Sequence, residues 1–178
     1  MHLETDRLIL CRYRTEFFDD YCANVMNDDD LAYMMKTAPI HTLEEARSCF
    51  EWKLNCEWEQ WYALCLKNEG NKVIGGITVH PVPEYTQDLP ALSGKCGISL
   101  SYSISRHYRR RGLMEEAVRA LIAHLFQSGT DYIICGYMDY NEPSRLMQEK
   151  LGFSYLYTDE FEEDGVLCRA IDNILWKK

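Results

Sequence analysis

Four arginines fall within six positions in Arg106-His107-Tyr108-Arg109-Arg110-Arg111-Gly112-Leu113, in a chain that is strongly acidic elsewhere. The run sits between an apolar alternating stretch and the start of a helical apolar stripe. The first amides of a helix lack intrahelical partners, and the helix dipole puts partial positive charge at that end. Gly112 lets a ligand or another backbone come close. Strand, basic glycine turn and helix together make an arrangement that holds phosphate. The competing reading is that the arginines solvate a loop or pair with Glu115 and Glu116, and the local pattern alone leaves the two balanced. The run is neither a Walker loop nor a G-x-G-x-x-G dinucleotide turn.

The elements that must position this turn follow from periodicity. Residues 7–13 alternate as a first strand, and residues 17–25 read as a short helix stopped by a solvated acidic loop, Asn27-Asp28-Asp29-Asp30. Thr42 with Glu45 makes a capping box, and the spacing of Leu43, Ala46, Cys49, Phe50 and Leu54 predicts a helix from Leu43 toward Glu57. Residues 61–66 and 73–79 flank the turn Asn68-Glu69-Gly70-Asn71 as a hairpin. A loop carrying Pro81, Pro83 and Pro90 leads to a strand at 95–104. A broad apolar helix runs from Leu113 to Gly129. A strand at 132–138, a helix at 144–151, a strand opening at Phe153 and a last strand within 167–175 complete the reading. The expected fold is a mixed α/β (α+β) layer structure of one domain, residues 1–178.

A second segment follows the strand at 132–138: Asn141-Glu142-Pro143-Ser144, continuing to Leu151-Gly152-Phe153. With the arginine turn it resembles the GNAT superfamily of acyl-CoA-dependent N-acetyltransferases. Arg109-x-x-Gly112-x-Met114 is similar to that family's Q/R-x-x-G-x-G/A pyrophosphate loop, and Asn141-x-x-Ser144 with Leu151-Gly152-Phe153 to its N-x-x-A/S and L-G-F elements. Glu4-Thr5-Asp6-Arg7-Leu8-Ile9-Leu10, Thr42-Leu43-Glu44-Glu45-Ala46, Val73-Ile74-Gly75 and Gly112-Leu113-Met114-Glu115-Glu116-Ala117 resemble the ribosomal-protein-alanine (Rim-type) acetyltransferase branch.

The resemblance implies a splayed, predominantly antiparallel sheet flanked by helices. Acyl-CoA would enter between the fourth and fifth expected strands, 95–104 and 132–138. The backbone of Tyr102, Ser103 and Ile104 would pair with the pantetheine amides, and Asn141 would bond that arm. Arg109 would open the pyrophosphate loop, and the amides of Arg110, Arg111, Gly112, Leu113 and Met114 would cradle the diphosphate. The family's tyrosine acid is replaced by Gln148 and its glutamate base by Gly136. Ser144 is then the motif residue with a proton to give to the departing thiolate, its alternative role being a helix N-cap. Tyr102, Asp139 and Tyr140 are further candidates. The implied reaction is direct transfer of acetyl from acetyl-CoA to a primary amine, a protein N-terminus or a small molecule. The alternative is a catalytically weak GNAT-fold module that binds acyl-CoA, and a weaker third class is a phosphate-ligand protein unrelated to CoA. Either a monomer or a homodimer is compatible.

Composition narrows the field. The 178 residues carry 28 acidic against 19 basic side chains, a net charge of −9, which disfavours nucleic acid and anionic membrane as partners. No apolar run is long enough to span a membrane, and residues 1–7 lack the shape of a signal peptide, so a cytoplasmic protein is expected. The eight cysteines are widely spaced and form no C-x-x-C pair, which predicts buried reduced thiols. The five histidines show no ligand spacing, so no metal is expected. The run Asp159-Glu160-Phe161-Glu162-Glu163-Asp164 reads as a solvated hairpin tip.

Overall fold

The computed structural model describes residues 2–163 and 165–178. Its strands are β1 (His2–Glu4), β2 (Leu8–Arg12), β3 (Gln60–Leu66), β4 (Lys72–His80), β5 (Gly97–Ile104), β6 (Tyr132–Met138), β7 (Ser154–Glu163) and β8 (Val166–Trp176). Its helices are α1 (Phe18–Val25), α2 (Asp29–Met35), α3 (Leu43–Asn55), α4 (Leu113–Gln127) and α5 (Glu142–Leu151). The strands form a mixed sheet in the order β1-β2-β3-β4-β5-β6-β8-β7. Neighbours run antiparallel except β5 and β6, whose parallel pairing is made through α4.

Strand alternation sends side chains to two faces, and each face has its own cover. Leu8, Leu10, Leu64, Ile77, Leu100 and Ile133 meet the buried stripe of α4, formed by Leu113, Met114, Ala117, Val118, Leu121 and Ile122. On the opposite face Ala63, Cys65 and Val73 pack against Phe17, Tyr21, Ala46 and Phe50 from the α1 and α3 side. Farther along that face Tyr132, Ile134 and Ile174 lie under Leu92, with Val82 and Leu89 of the proline loop against them.

The feature that matters most for function is a break in the ladder. β5 and β6 pair from Gly97↔Tyr132 only as far as Leu100↔Cys135. Beyond that rung β5 stays with β4 to Ile104, and β6 stays with β8 to Met138. The sheet therefore forks.

Several sequence expectations change. The acidic run at 27–30 is not a solvated loop: Asp28 accepts from the Leu31 amide at 3.0 Å as the N-cap of α2, and Asp29 and Asp30 occupy its first turn. The three-residue β1 pairs with β2 where no strand was expected. Asp159 to Glu163 are the mostly exposed end of the β7–β8 hairpin, as expected of a solvated tip, but are paired strand up to Glu163↔Val166; Asp164 lies outside the described residues. All eight cysteines are free, yet Cys22, Cys65 and Cys135 alone are buried, and Cys96 is exposed.

Candidate active site

Backbone groups at the fork point into it by strand parity. The Ser105 amide donates to Ile74 O at 2.9 Å, so by the alternation of an antiparallel ladder Ser103 also faces β4. Tyr102 and Ile104 then turn their amides and carbonyls toward β6. On the other arm the Asp139 amide donates to Arg169 O at 3.0 Å, which leaves Gly136 and Met138 facing the gap. Ser103, expected among the pantetheine-facing amides, instead has its backbone committed to β4. The residue itself lines the cavity.

That cavity has a volume of about 960 Å³ and extends from the fork to the basic turn. Gly112 has φ +69° and is the N-cap residue of α4, with no side-chain cap on the helix. A Cβ added to Gly112 would meet only Arg7 Nη2 at 3.7 Å, so the space above the first-turn amides is open. Arg110 lines this end, while Lys36, at the far end of α2, lines the cavity and pairs with Glu163. Arg106, Arg110 and Arg111 are exposed, as the solvated-loop alternative has it, but the pairing with Glu115 and Glu116 is not formed. Glu116 pairs with Arg7 at 2.6 Å, and Glu115 with Arg119 and Lys150 at 3.0 and 2.6 Å, so neither holds a turn arginine. Arg7 also donates to Arg111 O at 2.9 Å, fixing the turn's backbone. Arg109 donates to Ile104 O at 3.3 Å and to buried Asp28 at 3.2 Å. Its guanidinium thereby ties the turn to α2. Met114 turns into the core, buried against α4's own cluster, and leaves the loop uncrowded.

At the root of the fork, α5 brings a polar cluster onto β5. Ser144 Oγ lies 2.8 Å from Tyr102 Oη. Gln148 is fully buried, and its amide donates to Ser144 Oγ at 3.2 Å, with longer contacts of 3.4 Å to Tyr102 Oη and Gly136 O. Its carbonyl accepts from Asn173 Nδ2 at 3.0 Å, which fixes the amide's orientation. With Gln148 donating to it, the Ser144 hydroxyl keeps its own hydrogen to give away. Burial pushes the Tyr102 phenol far above its usual range, so it too stays protonated. Ser144 is not the cap of α5. Asn141 caps it, accepting from the Ser144 amide at 3.2 Å while Nδ2 donates to Met34 O at 3.1 Å. Tyr140 reinforces this clasp on α2 by donating to Tyr33 O at 2.9 Å.

Gly136 offers no side chain, yet a carboxylate occupies its place. A Cβ built there would lie 2.3 Å from Asp172 Oδ1, on the next strand and the opposite face from Ser144. Burial raises the pKa of Asp172, and Tyr85 donates to its Oδ2 at 2.7 Å. No local sequence signal marks Asp172; only the β6–β8 register brings it beside Gly136.

A sequence model described as the acetyltransferase (GNAT) domain matches residues 7–154. The chain belongs to the GNAT acetyltransferase family. Members use acetyl-CoA as cosubstrate, and the chain is accordingly an acetyl-CoA-dependent N-acetyltransferase by family. A search of curated proteins gives no significant sequence match. Among solved structures, a GNAT acetyltransferase from Bacillus anthracis superposes with TM-score 0.81 at 16% identity, covering 99% of this chain and 98% of that one. An acetyltransferase from Salmonella typhimurium, described as modifying the N-terminal serine of ribosomal protein L7/L12, gives 0.75 at 12% identity, with 98% and 97% covered. The microcin C7 self-immunity acetyltransferase MccE, in complex with acetyl-CoA and AMP, gives 0.75 at 12%, with 97% and 94% covered. At these identities the GNAT likeness is one of fold. No helix among the described residues is long and apolar enough to cross a membrane.

Proposed function

We propose that this GNAT domain, residues 1–178 taken as one unit, moves acetyl from acetyl-CoA to a primary amine by direct attack at the fork of the sheet. The observation that carries the reading is the juxtaposition there: gap-facing backbone on both arms, an open helix N-terminus at one end, and paired hydroxyls at the root. The backbone of Tyr102 and Ile104 aligns the pantetheine. The amides from Arg110 to Met114 receive the diphosphate, with Arg109 holding the turn to α2. Asn141 acts by capping α5 and clasping α2. As nitrogen bonds to the carbonyl carbon, negative charge moves to oxygen and then to sulfur. A gap-facing amide such as that of Gly136 polarises the carbonyl without reorganising. Ser144, supported by Tyr102, gives its proton to the thiolate.

A protein N-terminal amine is the acceptor we favour. Its support is the Rim-type resemblance of residues 4–10 and 42–46. The second reading, a GNAT-fold module that binds acyl-CoA with little turnover, draws on Gln148 and Gly136 standing where the family's acid and base are usual. Tyr102 and Ser144 weigh against it, because they return proton-bearing groups to the fork. Thiol release from acetyl-CoA across a panel of N-terminal peptides, polyamines, aminoglycosides and amino acids separates the two. Release with a peptide amine supports the proposal; binding without release to any acceptor supports the module.

A further inference from the structure

On the face opposite Ser144, at the end of β4, His80 joins two polar groups. Its Nδ1 lies 2.6 Å from Glu59 Oε1 and its Nε2 lies 2.7 Å from Ser101 Oγ. Ser101 is the first residue of β5 beyond the last rung shared with β6, and it lines the cavity. Glu59 is 7% exposed, and its second oxygen has no partner among the described residues. A buried carboxylate with one strong partner favours a hydrogen on Nδ1, which leaves Nε2 as the basic nitrogen toward Ser101. Carboxylate, imidazole and hydroxyl in that order can move a proton away from the hydroxyl. Other groups facing His80 are few. Trp61 stands edge-on at 6.4 Å, and Lys53 of α3 lies over the Trp61 ring at 3.3 Å, its pKa lowered by burial to about 8. Asp172 shares this face of the sheet on the far arm of the fork.

We propose that Ser101, His80 and Glu59 form the relay that removes the proton released by the attacking amine. The proposal rests on the acetyl-transfer reading above. As the C–N bond forms and the C–S electrons leave on sulfur, the nitrogen holds a surplus proton. That proton passes to Ser101 Oγ while the serine's own proton passes to His80 Nε2. Glu59 balances the imidazolium, and His80, whose side chain is 25% exposed, returns the proton to water. Ser101 touches the amine; His80 and Glu59 act through it. The thioester is thereby served from two faces, Ser144 and Tyr102 giving a proton on one and the relay taking one on the other.

The test follows thiol release from acetyl-CoA against pH, using an alanyl peptide amide and spermidine as amines. Wild type, His80→Gln, Ser101→Ala and Glu59→Gln are compared, with acetyl-CoA affinity measured by calorimetry. An acid-side inflection common to both amines belongs to the protein. His80→Gln is expected to remove that inflection and lower kcat about 10²-fold, with acetyl-CoA affinity unchanged. Ser101→Ala and Glu59→Gln should each lower kcat, with acetyl-CoA affinity unchanged. Turnover and inflection both retained in His80→Gln overturn the relay alone. A wild type that binds acetyl-CoA but releases no thiol with either amine overturns the transfer reading, and the relay with it.

Discussion

Asn141 and Ser144 belong to one sequence motif and do separate work. The asparagine spends its side chain on the helix and on α2, which leaves the serine hydroxyl to bond Tyr102 and Gln148 at the fork rather than cap the helix. Asn is a favoured N-cap residue and Pro143 follows it in the first turn, so the division is legible in the sequence, although the cap expectation above falls on Ser144. Because Ser144 is not the cap, Ser144→Ala is expected to lower kcat about 10²-fold while acetyl-CoA affinity holds. Its stability cost should stay near the ~1 kcal/mol of a lost hydrogen bond. Steady-state kinetics with denaturant unfolding checks both, and normal turnover contradicts the assignment. Asp172 gives a second residue-scale expectation. Burial raises its pKa, so its protonated form is the one folding favours. That contribution is present below the unfolded carboxylate pKa and lost as pH rises through the folded value. Asp172→Asn should therefore be more stable than wild type at neutral pH, with the gap closing toward acid pH. Unfolding free energies at the two pH values decide it; a gap that widens on acidification is the contrary result.

Among the elements, strong periodicity made β6, α3 and α4 legible nearly to the residue, since long amphipathic runs with caps leave little choice. The helix α2 was missed although its signal was present. Three aspartates ahead of Leu31, Ala32 and Met34 are an N-terminal signature, and reading them as solvent-facing charge hid a helix that closes over the cavity. The fork was legible only through resemblance, because where two strands stop pairing depends on tertiary register and not on either strand's composition. The relay at His80 was not legible: Glu59, His80 and Ser101 come from three separate stretches with no shared local pattern. The clasp between α5 and α2 belongs to this scale. Asn141→Ala removes the cap and the bond to Met34 together, and is expected to cost about 1–2 kcal/mol of stability. Thr42→Ala, which breaks the capping box of α3 far from the cavity, is the control for a cap lost alone. A smaller loss in Asn141→Ala than in Thr42→Ala would show that the clasp contributes nothing.

For the molecule as a whole, the charge balance and the sheet serve one arrangement. Lys36, Arg109, Arg110 and Lys150 line the cavity together with Glu115 and Glu142; Lys36 pairs with Glu163, Arg109 with Asp28 and Lys150 with Glu115, so exposed Arg110 is the lining cation without a carboxylate partner among the described residues. The parallel β5–β6 pair, connected through α4, puts a helix N-terminus at the mouth of the fork, which under the proposed function lets the phosphate end and the reacting end of one extended cosubstrate share one cavity. The most direct test is a calorimetric titration of acetyl-CoA into wild type and Gly112→Asp, each first shown to be folded by its thermal transition. The account predicts saturable binding and a raised Tm for wild type, as a ligand selective for the native state requires. It predicts loss of both in Gly112→Asp, where a carboxylate stands over the first-turn amides of α4. No binding by wild type at millimolar acetyl-CoA, or equal binding by the folded variant, would contradict it.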